Sequence, residues 1–113
     1  MSSNRTLMVL PGDGVGPEVV KETLRVVDWL GKNKSISFNI KEGLVGGASY
    51  DKHGTPLTDE TLADSIDADA ILFGAVGGPK YEGVPCEKRP EYGLLKWRKE
   101  RDLCANWRPA MVF

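Results

Sequence analysis

The residues best suited to chemistry lie late in the chain, in Pro90-Glu91-Tyr92-Gly93-Leu94-Leu95-Lys96-Trp97-Arg98-Lys99 and in Ala105-Asn106-Trp107-Arg108-Pro109. On a helix, Glu91, Leu94, Leu95 and Arg98 fall at offsets 0, 3, 4 and 7 and therefore share one face. That face presents a carboxylate, two apolar side chains and a guanidinium. Arg108 belongs to the next extended segment, because Pro109 biases the residue before it away from the helix. Two arginines from adjacent elements can grip a dicarboxylate through paired charge-assisted hydrogen bonds. The competing reading is an ordinary amphipathic helix, with Leu94 and Leu95 in the core and Arg98 solvated.

Two glycine-rich turns are the next candidates. Gly12-Asp13-Gly14-Val15-Gly16 follows an apolar run and precedes a helical pattern, the setting of a dinucleotide phosphate loop. Its spacing is G-x-G-x-G and not G-x-G-x-x-G, and no acidic residue closes a second strand at the required distance, so a tight structural turn competes with it. Gly74-Ala75-Val76-Gly77-Gly78-Pro79-Lys80 leaves the end of a second apolar run. Open α/β sheets collect ligands outside the carboxyl ends of their strands. Paired glycines let the backbone approach a ligand, and Lys80 adds a positive charge. A plain turn remains the alternative here too. His53, the one histidine, stands beside Gly54 in a loop and reads as a surface residue. Cys86 and Cys104 form neither a metal pair nor a disulfide framework and read as thiols of a reducing cytoplasm. No acidic cluster has spacing that compels a metal site.

The elements that must position these residues alternate between strand and helix, which predicts an α/β fold. Thr6-Leu7-Met8-Val9-Leu10 is continuous enough for a strand buried on both faces, stopped by Pro11-Gly12. Pro17 and Glu18 suit a helix start, Val20, Leu24, Val27 and Leu30 repeat at helical spacing, and Gly31 supplies a stop. Ile36, Phe38 and Ile40 alternate with polar residues as in a half-exposed strand. Residues 43–56 read as loop. Thr58, with Glu60 and Thr61 behind it, opens a short capped helix. Ala70 to Phe73 is a second buried-type strand, residues 74–90 a long loop, and Glu91 to about Arg101 a helix. Ala110 to Phe113 reads as a strand cut short, which gives the chain the look of an interrupted one.

With 113 residues, 41% hydrophobic and 27% charged, the composition is that of a globular domain or part of one. A net charge of -1 offers nucleic acid no basic face, and no apolar run approaches the length of a membrane span. Met1-Ser2-Ser3-Asn4-Arg5 has none of a signal peptide's apolar core, so cytoplasmic residence is expected.

Taken together and in order, Leu10 to Glu18, Gly46-Gly47-Ala48, Gly74 to Lys80, Pro90 to Leu95 and Ala105 to Pro109 resemble the 3-isopropylmalate dehydrogenases, among the β-decarboxylating dehydrogenases that include isocitrate dehydrogenase. The likeness is collinear across the chain. It implies a non-Rossmann α/β fold, with residues 1–103 in a first domain and residues 104–113 leading toward a second. It also implies NAD-dependent oxidation and decarboxylation of 3-isopropylmalate in leucine biosynthesis, with Mg2+ or Mn2+ as the metal and a homodimer as the assembly. Arg98 and Arg108 match arginines that hold the malate carboxylate, and Leu94 and Leu95 match the pocket for the isopropyl group. Gly74, Ala75, Val76, Gly77, Gly78, Pro79 and Lys80, with the loop to Pro90, match a segment beside NAD. Glu91 matches a carboxylate near the nicotinamide ribose. Trp97 and Trp107 depart from the leucines usual before each arginine, so local packing must differ. The family's third substrate arginine, its tyrosine and lysine, its metal-binding aspartates and its adenine loop are expected beyond Phe113, so the chain by itself is expected to be inactive. A related 2-hydroxy-acid substrate such as tartrate or homoisocitrate, or a non-catalytic nucleotide-binding remnant, are the alternatives.

Overall fold

Four apolar residues in a row, Leu7 to Leu10, have nowhere to go but the middle of a sheet, and the computed structural model, which describes residues 5–112, puts them there. Among these residues three parallel strands form one sheet in the order β2-β1-β3: β1 Arg5–Gly12, β2 Phe38–Glu42 and β3 Ala70–Ala75. Alternate side chains of β1 leave on opposite faces. Leu7 and Val9 pack with Val20 and, less deeply, Leu24 and Val27 of α1 (Gly16–Lys34). Met8 and Leu10 enter the other cluster, with Val45, Leu57, Ala68 and Trp97. The sheet is thus sandwiched, which is why β1 lacks any polar alternation.

The strand runs through Pro11 and Gly12, two residues beyond the expected stop, because Gly12 stays in register with Ala75 of β3. Similarly, α1 passes Gly31 and ends at Ser35, which takes the left-handed conformation at φ 53°. An exposed glycine in a helix is only about 1 kcal/mol worse than alanine, too little to stop a helix already packed on a sheet. Thr58 caps the helix α3 (Asp59–Asp67) as its sequence predicts, its Oγ1 accepting from the Thr61 N–H at 3.2 Å. β3 is half-buried rather than buried, being an edge strand.

Two expectations need correction. Residues 43–56 are not all loop, since Gly47–His53 form a helix, α2. Ala110 to Val112 make no strand, and Met111 and Val112 are exposed. Strands exist by pairing, and no described strand lies beside that segment. Phe113 and Met1 to Asn4, on which the rest of that expectation and the N-terminal reading fall, lie outside the described residues. The last helix, α4 (Pro90–Glu100), starts on Pro90 as its first residue and is tied at its far end by Arg101, whose guanidinium donates to the Ser65 carbonyl of α3. Among the described residues no helix is long and apolar enough to cross a membrane.

Candidate functional site

At the carboxyl ends of β1 and β3 the chain makes two glycine turns, and a single carboxylate joins them. Asp13, only 8% exposed, follows Gly12 in the turn out of β1. Its Oδ2 accepts from the Gly47 N–H at 2.7 Å and the Gly77 N–H at 2.9 Å, and its Oδ1 accepts from the Ala48 N–H at 2.7 Å. Its own N–H donates to the Ala75 carbonyl at 2.6 Å. Gly47 and Ala48 open α2, whose N-cap Gly46 has no side chain to offer. Asp13 therefore caps α2 from a distant part of the sequence, satisfying amides that a helix otherwise leaves orphaned. This long-range cap is the physical reason that residues 47–53 read as loop.

On the solvent side a second carboxylate makes a parallel connection. Asp51 of α2 accepts from Lys80 Nζ at 2.6 Å and from the Tyr81 hydroxyl at 3.0 Å through the same Oδ2. The Tyr81 ring lies on Gly47, where a side chain would collide with it, and meets Tyr50 edge-on. The charge of Lys80, expected to be available to a ligand, is thus partly answered by Asp51. Hydrogen bonds from Lys80 and then Tyr81 hold the Asp51 carboxyl below its ordinary 3.8, and the bond to Asp51 holds Lys80 above its ordinary 10.5. Burial first, and Asp51 next, lift Tyr81 above 10.0. The signs set a window: the Asp51 contribution is complete above about pH 4 and fades as pH falls through its lowered pKa. The Lys80 and Tyr81 contributions are complete below their ordinary values and fade as pH rises through the raised ones. The stabilisation that Asp51→Asn removes is therefore expected to be flat from about pH 5 to 9 and to vanish at both extremes. It is small and salt-sensitive, since all the charges are solvent-screened. Thermal melting of both forms across pH is the check, and a difference as large at about pH 2 as at pH 7 would contradict the latch.

Between the two connections lies a cleft of about 390 Å³, lined by Asp13, Ala48, Asp51, Gly77, Gly78 and Lys80 among others. Gly14 and Gly78 have open space where a Cβ would stand, so bare backbone faces the cleft. Gly77, at φ 101°, is in a conformation that favours glycine, and a Cβ there would come within 2.5 Å of Glu91 Oε1. The structure thus brings Glu91 directly against the Gly74–Lys80 segment. Pro79–Tyr81 and Cys86–Lys88 form short 3-10 turns. Arg89 folds the intervening loop back, its guanidinium donating to the carbonyls of Val84 at 3.1 Å and Glu82 at 3.3 Å. Pro90, fully buried, then starts α4 with Glu91 in its first turn, where the helix dipole favours a carboxylate.

The buried stripe of α4 is Pro90, Gly93 and Trp97, with Leu94 packed against the same core from its flank. Gly93 is obligatory there, because a side chain would press on the Pro56 carbonyl. Trp97 fills the space beside Phe73, ring centroids 6.0 Å apart, and its indole N–H is buried without a partner. Leu95, 59% exposed, Glu91 and the half-buried Arg98 are left on accessible surface. Of the amphipathic-helix reading, Leu94 packs against the core as expected, while Leu95 does not. Arg108 and Trp107 lie on an exposed segment without regular structure. Among the described residues no hydrogen bond or ion pair involves the guanidinium of Arg98 or of Arg108, so the structure does not bring the two guanidinia onto a shared partner. His53 ends α2 on the surface, and Cys86 and Cys104 are free and exposed.

A glycine turn stapled by a carboxylate at the sheet's carboxyl edge thus meets the head of the helix that carries Glu91, Leu95 and Arg98. The family model described as isocitrate/isopropylmalate dehydrogenase matches residues 6–113. The chain belongs to this family. A 3-isopropylmalate dehydrogenase of Ruegeria pomeroyi is 53% identical over 98% of this chain, and one of Cereibacter sphaeroides is 54% identical over 98%. The chain spans about 30% of the length of either relative. Among solved structures, the apo β-decarboxylating dehydrogenase of Thermococcus kodakarensis superposes with a TM-score of 0.66 at 30% identity, over 88% of this chain and 27% of that one. An isocitrate dehydrogenase of Methylococcus capsulatus gives 0.60 at 28% identity, over 70% of this chain and 22% of its own. The α/β sheet described above is therefore a part of the isocitrate/isopropylmalate dehydrogenase fold, in agreement with the failed G-x-G-x-x-G spacing.

Within that family fold, Asp13, Asp51 and Tyr81 are the polar residues of the cleft that sequence reasoning passed over. An acidic residue between two turn glycines, just after a buried strand, was the available signal for Asp13. Asp51 and Tyr81 carry no such signal, since each gains its place only by meeting the other.

Proposed function

We propose that this chain is part of an NAD-dependent 3-isopropylmalate dehydrogenase, acting in leucine biosynthesis in the cytoplasm, with residues 1–103 in its first domain and residues 104–113 leading into the second. The observation that supports this most is the meeting of the Gly77 turn with Glu91 at the head of α4, which brings two separate cofactor candidates together at the start of the helix that carries the substrate candidates Leu94, Leu95 and Arg98. NAD would lie along Gly74, Ala75, Val76, Gly77, Gly78, Pro79 and Lys80, and on to Pro90. The bare backbone at Gly78 and the Glu91 carboxylate, an acceptor for ribose hydroxyls, fit such a molecule. When bound it accepts the hydride from the substrate's 2-hydroxyl carbon. Arg98 and Arg108 would hold the malate carboxylate, and Leu94 and Leu95 would border the isopropyl group.

A divalent cation, Mg2+ or Mn2+, belongs to this reading as well. Among the described residues no three His, Cys, Asp or Glu side chains converge to hold one, so these residues do not fit it. The homodimer is likewise part of the proposal, as is the absence of nucleic-acid and membrane partners.

Arg108→Lys, made in the enzyme that carries this segment, tests the clamp. An ammonium keeps the charge but cannot reproduce a planar two-point contact. With a charge-assisted hydrogen bond contributing about 1.5–3 kcal/mol, kcat/KM for 3-isopropylmalate is expected to drop about tenfold or more. The KM for NAD should hold. Steady-state rates equal to those of the parent would show that Arg108 is a solvated surface charge.

A further inference from the structure

We infer that Asp13 is a positioning residue for the cofactor side of the site, setting the Gly77 turn through one shared carboxylate. The inference rests on the functional reading above and names a residue that it does not use. Asp13 does not stop at capping α2. The Oδ2 that accepts from Gly47 also accepts from Gly77, at 2.7 and 2.9 Å. The first turn of α2 and the turn after β3 thus converge on one oxygen atom. Ala75, Lys80 and Tyr81 tie the two ends of this turn, and the bond to Asp13 is what holds the Gly77 amide between them. Gly77 sits at φ 101°, where its peptide plane is not held by ladder bonds, and its neighbour Gly78 has open space around it. The group against Gly77 on its other side is the Glu91 carboxylate. Asp13 therefore decides how far the Gly77 peptide stands from Glu91, and so where both face a nucleotide.

Packing enforces the same geometry. Gly46, at φ 72°, brings its backbone so close to Asp13 that a Cβ would lie 2.6 Å from Oδ2 and 2.6 Å from the Val76 Cγ1. The carboxylate has little room to turn away, and it is buried with three donors and, among the described residues, no cation at hydrogen-bond distance. An amide in its place would present an NH2 to at least one N–H, which disrupts the junction while leaving its volume unchanged. The loop would loosen while α4, anchored separately by Pro90, Gly93 and Trp97, kept Leu95 and Arg98 in place. The consequence is one-sided: NAD weakens and the malate end does not.

The test is Asp13→Asn in the enzyme that carries this segment, read by calorimetric NAD affinity, steady-state kinetics and amide hydrogen exchange. The expected result is a rise of about tenfold in both the Kd and the KM for NAD, since hydrogen bonds to a charged group are lost. The KM for 3-isopropylmalate and kcat should stay within about threefold, and exchange should quicken at residues 46–50 and 76–81 together. A folded variant with parental NAD affinity would overturn the inference, as would equal weakening of both substrates, the mark of a merely structural role. Should Asp13→Asn not fold, Asp13→Glu keeps the charge but advances it by one methylene, and parental NAD affinity in that variant would overturn the inference equally. A parent that binds NAD but does not oxidise 3-isopropylmalate would sink the substrate assignment alone, because NAD affinity still reports on Asp13. A parent that binds no NAD would end both.

Discussion

Gly12→Ala is expected to lower folding stability by about 2–5 kcal/mol, a large part of the 5–15 kcal/mol that holds a typical domain together. Two costs add. Gly12 has φ 76°, in the left-handed region where a Cβ costs about 1–2 kcal/mol. That Cβ would also run into the carbonyl of Ala75, which is backbone of the neighbouring strand and pinned there by the register of β1 on β3. Forcing a methyl group into a packed site costs about 1–3 kcal/mol more. The control is two residues away. Gly14 has φ 55° but open space around it, so Gly14→Ala should carry the backbone cost alone, about 1 kcal/mol. Urea unfolding of both variants decides the matter: equal midpoints would mean that the Gly12–Ala75 approach does not constrain the fold.

Isocitrate is expected to be a substrate poorer than 3-isopropylmalate by about a thousandfold in kcat/KM, in the enzyme that carries this segment. Where isopropylmalate has an alkyl group, isocitrate carries a third carboxylate. On the proposed assignment α4 would offer Leu95 at that place, exposed and unengaged by the core, while Leu94 packs against the core. Neither can donate a hydrogen bond. Desolvating an unpaired carboxylate costs several kcal/mol even after relaxation, and about 4 kcal/mol corresponds to a factor of about a thousand. Because Leu94 is packed against the core cluster that contains Met8 and Leu10, Leu95 would be the position of the two at which specificity could be altered without loosening the core. Leu95→Ser should narrow the ratio by lowering the isopropylmalate rate, with little change in stability. A ratio within about tenfold in the parent enzyme would remove the leucine pair from any role in substrate choice.

Both predictions depend on neighbours supplied by other elements. The left-handed glycine at 12 is suggested by its place in a turn, but the carbonyl it faces belongs to a strand far along the chain. The two leucines are adjacent in sequence and equivalent in hydropathy. Only the packing of α4 through Pro90, Gly93 and Trp97 separates them. The two tryptophans show the same thing. Each precedes an arginine, yet Trp97 is buried against Phe73 and Trp107 is 89% exposed, because one lies on a packed helix and the other on a segment with no described strand beside it.

What the sequence determined by itself is what local periodicity and composition encode: a buried central strand at Leu7 to Leu10, a helix whose face is Val20, Leu24 and Val27, the Thr58 cap, the helix from Glu91, and the ordered motifs that carry the family likeness. These follow from side-chain spacing against the repeats of helix and strand, which need no knowledge of the rest of the chain. The tertiary structure alone decided that α2 is a helix, that Lys80 answers to Asp51, that Leu94 and Leu95 part company, and that Gly77 leans on Glu91. Each of these depends on a partner outside the local helix or strand repeat, such as the carboxylate of Asp13 reaching Gly47, Ala48 and Gly77. A hydrogen bond across that separation leaves no period in the sequence. It exists only once β1 and β3 lie side by side and bring their turns to the same end of the sheet.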